Sequence, residues 1–192
     1  LSQDEIDALL QGADDIISPS APAPTFTAPS GAGFLSPMEQ NTLRDVLNSV
    51  AGIVAPTLAG YLGGKNLVIS NAYVETKSAE ALRYDFVGQY VQVSMGYTGT
   101  VSGNHLVLFN MPDAGTISSL MMGSETGAPP AEMTDAHLST IQEFTNQLLS
   151  SMATQMSSRL GGGIGTTPAA ISMVKDPSDL RISPGDAVKI TY

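Results

Sequence analysis

The sequence has 192 residues, 42% of them hydrophobic, with eight Lys and Arg against eighteen Asp and Glu, a formal charge of −10. It has no basic run to neutralise phosphates, which excludes nucleic acid and anionic membrane surfaces as partners. It has no Cys, and His105 and His137 have no companion at ligand spacing, so disulfides, Cys nucleophiles and a metal site on this chain are excluded as well. The most apolar stretch, 50–62, is too short to span a bilayer and is broken by Gly52, Pro56 and Gly60. With no signal peptide and no membrane insertion expected, the reading is a soluble cytoplasmic protein.

The chain opens on Leu1-Ser2-Gln3-Asp4-Glu5-Ile6-Asp7-Ala8-Leu9-Leu10. Ser2 and Glu5 have capping-box spacing, and Ile6, Leu9 and Leu10 share one helical face. A helix this short is marginal in water, so it is expected to fold on a partner. Residues 11–33 read as a disordered linker, because Pro19, Pro22, Pro24 and Pro29 among Ala, Ser and Gly cannot bury enough surface to order themselves.

Residues 34–192 read as one globular domain. A first long helix starts with Ser36 as N-cap and Pro37 in the first turn. Its apolar stripe runs Leu43, Val46, Leu47, Val50, Val54 and Leu58. Pro56 is expected to kink or interrupt it, and Gly63-Gly64 to end it. Strands are predicted at 67–73, 90–97 and 105–110, then a short helix at 113–122. A second long helix begins at Thr134 or Asp135, with the stripe Leu138, Ile141, Leu148, Leu149, Met152, Met156 and Leu160, and stops at Gly161-Gly162-Gly163. Strands at 169–174 and 187–192 follow.

The two halves repeat at an offset of 98, which places Asp45 on Glu143, Asn48 on Asn146, Leu62 on Leu160 and Gly63-Gly64 on Gly161-Gly162. The fold class is therefore α+β, a duplicated helix-plus-strands unit related by a pseudo-two-fold axis, with two long helices packed on antiparallel sheet. The second unit has no counterpart to the third strand and short helix of the first, so the domain is expected to be truncated at its C-terminal side.

At about 100° per residue, Ser139, Glu143, Asn146 and Ser150 fall on one polar stripe opposite the apolar one. Asn41, Asp45 and Asn48 do the same in the first unit. Such faces are ordinarily just solvated, but Asn is a poor mid-helix residue and here occurs twice at equivalent places.

The pattern Ser139-x3-Glu143-x2-Asn146, followed by Pro168, resembles the signature of the CheC-type chemotaxis phosphatases, a family that includes the middle domain of FliY flagellar switch proteins. Residues 1–10 are similar to the regulator-binding peptide of the switch proteins FliM and FliY. The resemblance implies a CheC-like fold and a protein-aspartyl-phosphate phosphatase that dephosphorylates a CheY-like response regulator at the flagellar motor switch, its peptide capturing the regulator. It implies that Asn146 orients a water and Glu143 pairs with a Lys of the partner. It further implies that the divalent metal (Mg) sits on that partner, with no cofactor bound by this chain. FliM, FliG and FliN-like proteins would be neighbours at the basal body, where the chain would be peripheral. The first unit departs from the pattern: Asp45 replaces Glu, Asn41 stands for Ser139 and Ser70 for Pro168, so the second site is expected to be the working one. The competing reading is a non-catalytic adaptor of the switch ring that binds the regulator.

Overall fold

The computed structural model describes residues 35–192, and the peptide 1–10 and linker 11–33 lie outside them. Helix α1 (Pro37–Tyr61) starts at Ser36 with a full capping box. The Ser36 hydroxyl accepts from the Glu39 amide, and the Glu39 carboxylate accepts from the Ser36 amide at 2.7 Å. Contrary to expectation, Pro56 does not interrupt the helix. The carbonyl that Pro56 leaves without a donor belongs to Gly52, and both residues face solvent, where water takes the missing bond. Leu62 caps the helix, and Gly63 and Gly64 turn the chain with φ of 64° and 74°, a region that costs other residues strain.

The strand expected at 67–73 does not form; only its last residue joins β1 (Tyr73–Ser78). A seven-residue helix that no periodicity announced, α2 (Ala79–Asp85), follows directly, its first turn capped by the Ser78 hydroxyl. Strands β2 (Tyr90–Gly99) and β3 (Gly103–Asn110) form a hairpin. Helix α3 (Met111–Met121) starts two residues ahead of the predicted position, because Asn110 serves as its N-cap and accepts from the Asp113 amide at 2.8 Å. Helix α4 (Asp135–Leu160) begins after Thr134, as read, and ends at Gly161 in the left-handed region, φ 71°. Strands β4 (Ile164–Thr166), β5 (Ala170–Val174) and β6 (Asp186–Thr191) complete the fold.

Every strand pairing is antiparallel. β1 pairs with β6, while β2 is flanked by β3 on one side and by β4 and β5 on the other. The register carries the internal repeat residue by residue. Shifting one partner up by 98 and the other down by 98 turns Tyr73–Thr191 into Ile171–Val93, and Glu75–Lys189 into Met173–Val91, both of which are observed pairs. The pseudo-two-fold axis thus relates the β1–β6 ladder to the β5–β2 ladder. Residues 66–68, the counterpart of β4, pair with no strand among the described residues.

The core lies where the two long helices meet the sheet. Leu47, Val50, Val54 and Leu58 of α1 meet Ile141, Phe144, Leu149 and Met152 of α4 over Val91, Val93 and Met95 of β2. Phe109 closes one side, its ring edge-on to Phe144 at 6.4 Å. Each helix commits its apolar stripe to this core except for Leu160, which is 53% exposed at the last turn of α4, and its polar stripe faces outward.

Candidate functional site

The second polar stripe is built on a rigid helix. Along α4 the hydroxyls of Thr140, Thr145 and Thr154 donate to carbonyls one turn back, so these residues are satisfied inside the helix. Ser139, Glu143 and Ser150 are exposed and Asn146 is half-buried, all on the side away from Ile141, Leu149 and Met152. Glu143 Oε1 accepts from Gln147 Nε2 at 2.7 Å, and Gln147 Oε1 accepts from the Tyr61 hydroxyl of α1 at 3.2 Å. No described residue hydrogen-bonds the Asn146 amide, and its polar atoms are not sealed from solvent. Gln142 Nε2 donates to the Ala169 carbonyl at 2.6 Å, which ties the Pro168 turn to the helix one residue from Glu143. Ser139, Glu143 and Asn146 share one stripe of the helix, whereas Pro168 lines a separate pocket with Gly96 and His105. The result is a carboxylate held by neighbours beside an amide held by none.

The first stripe has the same backbone and a different fate. Asp45 and Asn41 are exposed, and Asn41 Oδ1 accepts from Arg44 at 2.7 Å. Asn48 is half-buried and its Oδ1 accepts from the buried Ala72 amide at 2.7 Å. Of the two equivalent amides, only Asn146 is without a hydrogen-bond partner among the described residues. Ala72 directly precedes β1, so Asn48 satisfies a backbone donor at the point where the chain enters the sheet.

The helices cross antiparallel, with Tyr61 on Gln147 near one end and Arg159 on Ser49 near the other. These two contacts are themselves exchanged by the offset of 98. Counting residues between them sets Asn48 and Asn146 about 20 Å apart along the helix pair. The two polar stripes are therefore separate faces of the helix pair. Tyr61, Gln147 and Gln142 escaped the sequence reading. Gln147 is marked only by its spacing of four from Glu143, and Tyr61 is remote in sequence.

Among the described residues no group of three His, Asp or Glu is placed to hold a metal. No described helix is long and apolar enough to cross a membrane. His105 lies against Tyr97, ring centroids 5.3 Å apart, away from either stripe; burial lowers its imidazole pKa and pushes the Tyr97 hydroxyl up to about 12.

No family model matches the chain. The flagellar motor switch phosphatase FliY of Bacillus subtilis (strain 168) is 30% identical over 175 residues, which is 91% of this chain and 44% of that protein. The crystal structure of Thermotoga maritima FliY superposes with a TM-score of 0.69 at 25% identity, covering 81% of this chain and 82% of that one. This is a FliY-like domain. A CheC-like superfamily protein from Shewanella shares the fold at 15% identity and a TM-score of 0.52, over 76% of this chain and 96% of that one. The duplicated α+β architecture expected from the repeat, and the CheC-like fold that the resemblance implies, are the ones observed. The FliY-like chain spans less than half the length of its curated relative.

Proposed function

We propose that the chain is a protein-aspartyl-phosphate phosphatase acting on a phosphorylated CheY-like regulator at the flagellar switch, through Glu143 and Asn146. The observation that supports this most is the unpartnered Asn146 amide beside an oriented carboxylate on a rigid helix. An amide side chain reaching into the partner's site holds a water by accepting a hydrogen bond from it, which leaves an oxygen lone pair directed at phosphorus, and the water's protons leave with the phosphate product and the solvent. Attack by that water forms the new P–O bond and breaks the bond to the partner's Asp carboxylate, releasing phosphate. Such a reaction needs alignment and charge stabilisation more than covalent help.

The partner supplies the phosphorylated Asp, a divalent metal of the Mg type that offsets the phosphoryl charge, and a Lys. Glu143 is exposed, and its Oε2 has no partner among the described residues, so it is available to that Lys. Residues 1–10 serve as a tethered capture peptide, raising the local concentration of regulator without touching the reacting groups. The place of action is the cytoplasmic face of the basal body, beside FliM, FliG and FliN-like proteins.

The purified chain is mixed with regulator carrying radiolabelled phosphate, and phosphate loss is followed against regulator alone. Faster loss supports the enzyme. Binding with no acceleration would leave the chain an adaptor. Deleting residues 1–10 should raise the regulator concentration needed for half-maximal rate and spare the maximal rate.

A further inference from the structure

We propose that Tyr61 is a positioning residue for the second site, acting through Gln147 to hold the Glu143 carboxylate toward a cationic group of the partner. The inference rests on the phosphatase reading of Glu143 and Asn146, and extends it to a residue on the other helix. The chemistry of the three groups fixes their directions. A carboxylate only accepts, so Gln147 must turn its NH2 toward Glu143, and the 2.7 Å contact is made by Nε2. The amide oxygen of Gln147 then faces α1, where the Tyr61 hydroxyl donates to it at 3.2 Å. The Glu143 carboxylate thus fixes which way the amide points, and Tyr61 anchors its oxygen from the other helix. Glu143 is left with one oxygen held and the other free.

The first unit supplies the comparison. The offset of 98 carries Tyr61, Gln147 and Glu143 onto Arg159, Ser49 and Asp45. The interhelical contact survives there, since Arg159 donates to Ser49. Ser49 is too short to span one helical turn to Asp45, however, and no described residue hydrogen-bonds the Asp45 side chain. The interhelical clamp is common to both ends, whereas the relay onto a carboxylate exists only at the second. The difference between the sites therefore reaches beyond their own helical stripes, to the residue each helix offers the other.

The test measures steady-state dephosphorylation of the phosphorylated regulator at several regulator concentrations, using the full chain. Tyr61→Phe keeps the ring and removes the donor. The half-saturating concentration is expected to rise roughly two- to tenfold, the range for loss of one exposed hydrogen bond, with the maximal rate little changed. In a Glu143→Gln background the same substitution should have no further effect, because both act on one interaction. Arg159→Gln breaks the equivalent clamp without a relay and should leave both constants unchanged. An unshifted half-saturation in Tyr61→Phe would overturn the inference, as would an equal shift in Arg159→Gln or an undiminished effect in the Glu143→Gln background. Asn146→Ala is run beside them. If it keeps the full rate, the phosphatase reading itself fails; if it loses the rate while Tyr61→Phe shifts nothing, only the positioning role fails.

Discussion

Replacing Asn48 and Asn146 by Ala should affect stability in opposite directions, although the two residues occupy equivalent positions on equivalent helices. Asn48 Oδ1 accepts from the Ala72 amide at 2.7 Å, and Ala72 is only 3% exposed. Removing the acceptor leaves a buried backbone donor unsatisfied, at about 1–3 kcal/mol. Ala returns about 0.5 kcal/mol as the better helix former, so the net loss is about 0.5–2.5 kcal/mol. In a domain of this size each kcal/mol is worth about 2–4 °C, so the midpoint should fall by about 1–10 °C. Asn146 makes no side-chain hydrogen bond with a described residue, so Asn146→Ala collects only the propensity gain and the midpoint should hold or rise by about 1–2 °C. Thermal unfolding followed by circular dichroism, with urea titrations for the free energies, reads both. Asn48→Asp keeps an acceptor for Ala72 and should recover part of the loss. Equal shifts for the two Ala variants, or an Asp variant no better than Ala, would refute the assignment of Asn48 to structure and Asn146 to the surface.

Burial holds the His105 imidazole below its ordinary 6.5. The unfolded chain therefore takes up a proton near that pH which the folded chain refuses until lower pH, so stability is full above about 6.5 and declines as pH falls from it. Urea midpoints at pH 7.5 and 5.5 should show this decline in the native chain and a smaller one in His105→Gln. Gly99 has φ of 97°, and a Cβ there would collide with the Gly163 carbonyl, so Gly99→Ala should cost about 1–3 kcal/mol in the same titrations. Ile141 is fully buried between the helices and β2, and Ile141→Ala should cost about 2–5 kcal/mol.

Both long helices were legible in the sequence because each has an apolar stripe at helical spacing and a Gly stop. The duplication was legible because the offset holds for stripe, polar pair and stop together. The strand misread at 67–73 shows the limit: Leu67, Val68 and Ile69 have strand character, but a strand needs an edge to pair with, and composition does not show one. Helix α2 is too short to display a period. The polar pairs were found by spacing, yet spacing could not separate them. Whether a mid-helix Asn is free depends on where the next backbone donor lies, and the Ala72 amide reaches Asn48 only once β1 has folded back beside α1. Tyr61 was illegible for a related reason, since its role depends on the crossing of two helices whose contacting residues are far apart in sequence.

The account's central claim is that one amide, Asn146, aligns the attacking water while its counterpart serves the fold. The most direct measurement is the rate of phosphate loss from the phosphorylated regulator with Asn146→Ala, Asn48→Ala and the double variant, at a temperature where all are folded. Asn146→Ala should lose most of the acceleration, Asn48→Ala should retain most of it, and the double variant should match Asn146→Ala. An undiminished rate in Asn146→Ala, or a loss confined to Asn48→Ala, would contradict the account.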